Sequence, residues 1–163
     1  MGNKSLRPLA GAIVLMAATV TTARAGNYCV AAPNSTGVGA VIDSQGSRSI
    51  AANQFTLTIQ NAPPQAFGMF FYGGGSLQFP FGNGFRCVRG DGRGVHRFKG
   101  IKAIDTQGRA FLDVDFTRRP AGAGRGTVMP GSTWYFQFMY RDPRWVAPSD
   151  FNLSDGLMVS FEQ

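Results

Sequence analysis

Two aspartates, Asp113 and Asp115, stand two residues apart in the stretch RAFLDVDFT. On an extended strand alternate side chains share a face, so both carboxylates project together, roughly 7 Å apart. That separation suits an inverting glycosidase pair, in which one carboxyl protonates the leaving group and the other activates water. Their neighbours on that face are Phe111 and Arg109, no second acidic region is evident, and solvent-facing charge explains the pair equally well. A second set, Asp142, Asp150, Asn152 and Asp155, clusters in YRDPRWVAPSDFNLSDG. Hard oxygens from one loop can hold calcium, but the spacing is not that of an EF-hand. Asp, Asn and Ser also cap turns by bonding to nearby backbone, which is the preferred reading. Trp145 follows Pro143 in the same loop. An exposed indole there can stack on a sugar ring, and an indole folded over a sheet edge fits the sequence as well.

Nucleophilic catalysis lacks its parts. His96 is the single histidine, and neither Gly-x-Ser-x-Gly nor Cys-x-x-Cys occurs. A serine or cysteine nucleophile therefore has one candidate base at most. Cations are plentiful instead: Arg86, Arg89, Arg93, Arg97, Lys99 and Lys102 fall within one segment whose single acid is Asp91. Six cations on one hairpin form a candidate site for a polyanion such as an acidic polysaccharide, a lipid headgroup or another cell-envelope component, although a solvated basic loop is the plainer reading. Nucleic acid is not expected, because stacking platforms interleave such charge with several aromatics, and only His96 and Phe98 lie here.

The same segment holds Gly-x-Gly-Arg-Gly at 90–94, repeated at 122–126, and the tripeptide Arg89-Gly90-Asp91. A phosphate-cradling loop needs a helix after it and, in P-loops, a lysine; neither follows these stretches. An adhesive Arg-Gly-Asp reading rests on three residues in a Gly- and Arg-rich chain. Connections between strands are the expectation for both repeats.

The elements that position these residues read as strands. NQFTLTIQ alternates Phe55, Leu57 and Ile59 with Thr56, Thr58 and Gln60, then stops at Pro63-Pro64. QAFGMFFYGGG is an apolar run ended by glycines. RAFLDVDFT sets Ala110, Leu112, Val114 and Phe116 opposite the aspartates. STWYFQFMYRD is aromatic on both faces, as a central strand requires, and DGLMVSFEQ alternates Leu157, Val159 and Phe161. No stretch of ten residues has a helical period. Gly, Pro, Asn and Asp break the chain about every 8 to 12 residues, in NSTG, DSQGS, GNG, DTQG and MPGS. The expectation is all-β: a single antiparallel β-sandwich, jelly-roll or immunoglobulin-like, with its 14 phenylalanines filling the space between sheets.

The N-terminal residues bear on the compartment. Lys4 and Arg7 precede an apolar run over 8–20, and Ala23-Arg24-Ala25 is a small-x-small cleavage pattern. The run is shorter than the roughly 20 residues of a membrane helix. Residues 1–25 read as a signal peptide cut between Ala25 and Gly26, and 26–163 as the sandwich domain. Losing Lys4, Arg7 and Arg24 lowers the net charge from +7 to +4, which is mildly basic. The expectation is an exported protein, outside the cell or in its envelope, with no later membrane span. In an oxidising compartment the two cysteines, Cys29 and Cys87, are expected to pair; a metal or catalytic thiol lacks partners.

Taken together, NYCVAAPNSTGVGAVI, LTIQNAPPQAFGMFFYG, FPFGNGFRCV, PGSTWYFQFMYRD and FNLSDGLMVSF resemble a domain of uncharacterised exported bacterial proteins, found mostly in planctomycetes and myxobacteria. There the domain often forms the C-terminal part of larger cell-surface chains. The resemblance spans Tyr28 to Phe161 and implies export, a β-rich fold and the Cys29–Cys87 pairing. It implies no activity, cofactor or functional residue, and the basic run from Arg86 to Lys102 departs from it. The functional expectation is a non-enzymatic binding or structural module. A polysaccharide hydrolase using Asp113 or Asp115, a carbohydrate-binding module, and self-assembly through exposed strand edges are the alternatives.

Overall fold

In a computed structural model the described residues are 25–144 and 148–162, and they contain twelve strands and no helix. The expected signal peptide, apart from Ala25, and the Trp145 site lie outside them.

The period-2 stretches become the strands. The strands are β1 (Ala25–Tyr28), β2 (Val41–Gly46), β3 (Phe55–Gln60), β4 (Phe67–Gly73), β5 (Gly75–Phe81) and β6 (Gly84–Arg89). They continue with β7 (Val95–Arg97), β8 (Lys102–Ala103), β9 (Ala110–Val114), β10 (Thr133–Arg141), β11 (Phe151–Leu153) and β12 (Gly156–Ser160). Every pairing between them is antiparallel.

A seven-stranded sheet runs β1-β12-β10-β4-β7, with β11 also on β10 and β8 also on β4. The expected central strand is central: β10 pairs β4 on one side and β12 then β11 on the other. A three-stranded sheet, β2-β3-β9, faces it. Phe55, Leu57 and Ile59 of β3, with Ala110, Leu112 and Val114 of β9, meet Phe70, Tyr72, Trp134, Phe136, Phe138, Leu157 and Val159 of the larger sheet in one buried cluster. Each buried Val, Leu, Ile or Phe among them contributes about 1.5–3 kcal/mol by leaving water. The arrangement is sandwich-like, as the alternation requires: every second residue of these strands points into one core.

The fold adds a piece that the sequence reading lacks. β5 and β6 form a separate two-stranded hairpin. It packs on the other face of the seven-stranded sheet, where Val88 joins Phe71 and Leu153 in a second buried cluster. β4 and β10 are apolar on both faces because both faces are covered: Phe70 and Phe138 look into the sandwich, and Phe71 and Met139 look toward the hairpin.

Cys29 and Cys87 form a disulfide, with Cα atoms 6.1 Å apart. It joins the end of β1 to β6, and so fastens the hairpin to the edge of the large sheet.

Candidate functional site

Two adjoining hollows lie on the outer face of the seven-stranded sheet, beside the hairpin. Along β4 and β10 the residues that alternate away from the core are Phe67, Met69 and Phe71, and Tyr135, Gln137 and Met139. The hairpin roofs this face only in part. Gln137, fully buried, is the central attachment: its Oε1 accepts the Cys87 N–H at 2.8 Å, and its Nε2 donates to Phe85 O at 2.8 Å and Ser154 O at 2.7 Å. The tip is held too. Asn83 N–H donates to Phe151 O at 3.1 Å, and Asn83 Oδ1 accepts the Ser149 N–H at 3.0 Å. Phe81 of the tip packs against Phe151 with ring centroids 5.3 Å apart. What the hairpin leaves uncovered is the flank toward β7 and β8.

The larger hollow, about 960 Å³, has walls of Phe67, Met69 and Met139 from the sheet, Phe81 from the hairpin, Phe151 from β11 and Ile101 from the β7–β8 connection. Three of these apolar walls stand open to solvent: Ile101 is 69% exposed, Phe67 56% and Phe81 43%. The smaller hollow, about 570 Å³, continues over Phe71, Val95, Leu153 and Pro120, and shares Met69, Phe81, Arg97 and Met139 with the first. Arg86 of β6 and His96 and Arg97 of β7 line it, and among the described residues no acidic one does. At the far rim of the larger hollow Arg141 is ion-paired to Asp150. The volume and apolar lining match those of sites for small organic ligands, and methionine walls adapt to different shapes.

The basic segment from Arg86 to Lys102 is not one hairpin. Arg86 and Arg89 belong to the β5–β6 layer, Arg97 to β7 and Lys102 to β8, and β7 and β8 both pair β4. The chain leaves the hairpin and returns to the sheet edge, because Val95 and His96 complete pairs with Gly73 and Tyr72. Arg86 and Arg97 are thereby brought together, whereas Arg89, Arg93, Lys99 and Lys102 line neither hollow.

Arg93 is engaged elsewhere. Its guanidinium pairs with Asp91 and lies 4.3 Å from the ring centroid of fully buried Trp134. The hydrogen bond from Arg93 holds the Asp91 carboxyl down at about 2. Asp91 is thereby paired within its own loop, at an exposed position.

The two Gly-x-Gly-Arg-Gly stretches dock on one another: Arg125 donates to Gly92 O, and Tyr72 donates its hydroxyl to Gly126 O at 2.7 Å. They are connectors, as expected, and they close one edge of the core above Trp134. Beneath them His96 lies against Tyr72, ring centroids 5.3 Å apart, and its Nε2 has no hydrogen-bond partner among the described residues. Burial, then Arg125 and Arg93, push the His96 pKa down.

The carboxylates fall apart as a group. Asp113 accepts the Thr56 hydroxyl at 2.6 Å on the exposed face of the three-stranded sheet. Asp115 accepts from Thr117 and Asn53 and pairs with Arg118, and the Thr117 hydrogen bonds lower its pKa. A general acid needs the opposite shift. Asp155 Oδ1 accepts the Ile42 N–H and its Oδ2 an Asn27 Nδ2–H, both at 2.8 Å, which ties β12 to β1 and β2. Asn152 donates to Pro33 O at 2.9 Å, and buried Asp142 accepts the Ser35 N–H at 2.9 Å. Among the described residues no three His, Cys, Asp or Glu side chains converge as metal ligands.

Sequence reasoning missed Phe67, Met69, Phe81, Ile101, Met139 and Phe151 as site residues. The available signal was FPFGNGFRC, two apolar runs around a Gly-Asn-Gly turn, which marks a hairpin with aromatics near its tip.

No family model matches the chain, and no match is found among curated proteins or solved structures.

Proposed function

We propose that this protein is an exported, non-enzymatic binding module that takes a small, elongated apolar ligand in the double hollow between its hairpin and its seven-stranded sheet. The carrying observation is the uncovered apolar wall: Phe67, Phe81 and Ile101 stand exposed around Met69 and Met139, on a face whose remainder is sealed by the hairpin. A contiguous exposed apolar surface of this kind marks a binding site more often than an accident of packing. Export is supported by the leader-like residues 1–25 and by the resemblance to exported bacterial domains. The disulfide is consistent with it, and no helix among the described residues is long and apolar enough to cross a membrane. The non-enzymatic reading is supported by the commitments of Asp113 and Asp115 to Thr56, Thr117 and Arg118.

The test uses the neutral dye Nile red, whose fluorescence rises in apolar surroundings. Native protein is expected to bind it saturably. Ala103→Trp, which fills the larger hollow from an exposed edge strand, and Met139→Glu, which charges its floor, are expected to weaken binding at least tenfold while Ala103→Trp keeps the native melting temperature. Absence of saturable binding, or binding unchanged in both variants, rejects the groove. Retention on acidic polysaccharide that neither variant alters favours a charged-surface function. Polysaccharide turnover lost in Asp113→Asn favours the hydrolase.

A further inference from the structure

Resting on the groove reading, we propose that the ligand is a long-chain carboxylate, its head between Arg86 and Arg97 and its chain laid across Met69 and Met139 into the larger hollow. The two arginines come from different layers, β6 of the hairpin and β7 of the sheet, and line the same hollow without an acidic neighbour. Arg93, Arg109, Arg118 and Arg141 each have a carboxylate partner; Arg86 and Arg97, like Arg48, Arg89, Arg119 and Arg125, have none among the described residues, and of these unpaired arginines only Arg86 and Arg97 line the hollows. Two arginines lining one hollow raise its positive potential, and an anion bound there would be attracted to both. Planar guanidinium forks also match the geometry of a carboxylate.

The chemistry changes along the groove. The smaller hollow carries Arg86 and Arg97, and the larger is walled by Phe67, Ile101, Phe151 and Phe81, with its one acid among the described residues, Asp150, held by Arg141. Arg97, Phe81, Met69 and Met139 belong to both hollows, so head and tail subsites are continuous. A positive head subsite opening into an apolar trough complements one ligand class: a negative group at the end of a flexible hydrocarbon chain. A bare polyanion would leave the trough empty, and a neutral hydrocarbon would leave the two arginines without an anion.

Displacement of Nile red by hexadecanoate, hexadecanol and butanoate separates these cases, read below the aggregation or solubility limit of each. Hexadecanoate is expected to compete at least tenfold better than hexadecanol in 20 mM salt. The gap should shrink in 0.5 M salt and close in Arg86→Gln/Arg97→Gln, with hexadecanol unaffected by that double variant. Butanoate is expected to compete at least a hundredfold more weakly than hexadecanoate. Equal competition by the alcohol overturns the head-group assignment and leaves the groove reading standing. Butanoate as good as hexadecanoate shows an anion site without a chain subsite and overturns the proposal. Capture by anionic vesicles with no response to monomeric hexadecanoate assigns the face to a membrane surface and overturns it too. Failure of Nile red itself to bind removes the groove reading underneath.

Discussion

The side-chain amide of Gln137 accepts the backbone N–H of Cys87 at 2.8 Å, so the centre of the large sheet grips the strand that carries the disulfide. The same amide donates to Phe85 O and Ser154 O, which satisfies polar groups of the hairpin and of the β11–β12 corner from one buried position. The hairpin, and with it the Arg86 and Phe81 walls of the groove, is positioned by this residue.

Gln137→Leu removes three hydrogen bonds and leaves the Cys87 N–H buried without a partner. An unsatisfied buried group costs about 1–3 kcal/mol, so a loss of about 2–3 kcal/mol in urea unfolding is expected. Amide exchange in β5 and β6 should accelerate more than in β3 and β9.

Breaking the Cys29–Cys87 bridge frees a loop whose ends are 58 residues apart in sequence. Loop-closure entropy puts the loss at roughly 4 kcal/mol. Cys29→Ser/Cys87→Ser should therefore unfold at markedly lower urea than the native protein, and reducing agent should lower the stability of the native protein alone.

Gly126 is confined by its neighbours: a Cβ there would lie 2.7 Å from the His96 ring and from the Tyr72 hydroxyl. Gly126→Ala is expected to cost about 1–3 kcal/mol, as overpacking does. Gly92 has open space but a φ of +87°, so Gly92→Ala meets only the left-handed backbone penalty of about 1–2 kcal/mol. Thermal melts of the two variants measure both costs, and a Gly126→Ala protein as stable as the native one would rule out a packed joint between the repeats.

His96 predicts a pH dependence. Its folded pKa is depressed, first by burial and then by Arg125 and Arg93, against an attractive contribution from Asp91. Well above pH 6.5, the ordinary value, the imidazole is neutral in both states and contributes no slope. Below that value the unfolded chain takes up the proton first, so stability falls as pH drops toward the folded pKa. His96→Phe keeps a ring against Tyr72 and removes the titration. The native-minus-variant stability difference should decrease from about pH 7 to about pH 5, and a flat difference would place the imidazole in solvent.

The alternation of Phe55-Leu57-Ile59, Ala110-Leu112-Val114 and Leu157-Val159 was readable because an extended chain with one buried face must alternate, whatever it packs against. The two-faced apolarity of STWYFQFMYRD likewise pointed to a central strand, and the hairpin that covers its second face came only with the structure. Cysteine count and the leader-like start were enough to expect a bridge between Cys29 and Cys87, which the structure contains.

The groove was not readable in the same way, since Met69 and Met139, 70 residues apart, become neighbours only through the β4–β10 register. Arg86 and Arg97 carry the same charge and sit on one linear run, so their sequence suggested a single basic hairpin. The chain instead changes layers between them, because Val95 and His96 find backbone partners in β4. Local periodicity is a property of each segment alone and survives inspection of the sequence. Which segments share a hollow depends on hydrogen-bond partners chosen across the whole chain, and that choice is made only when the layers assemble.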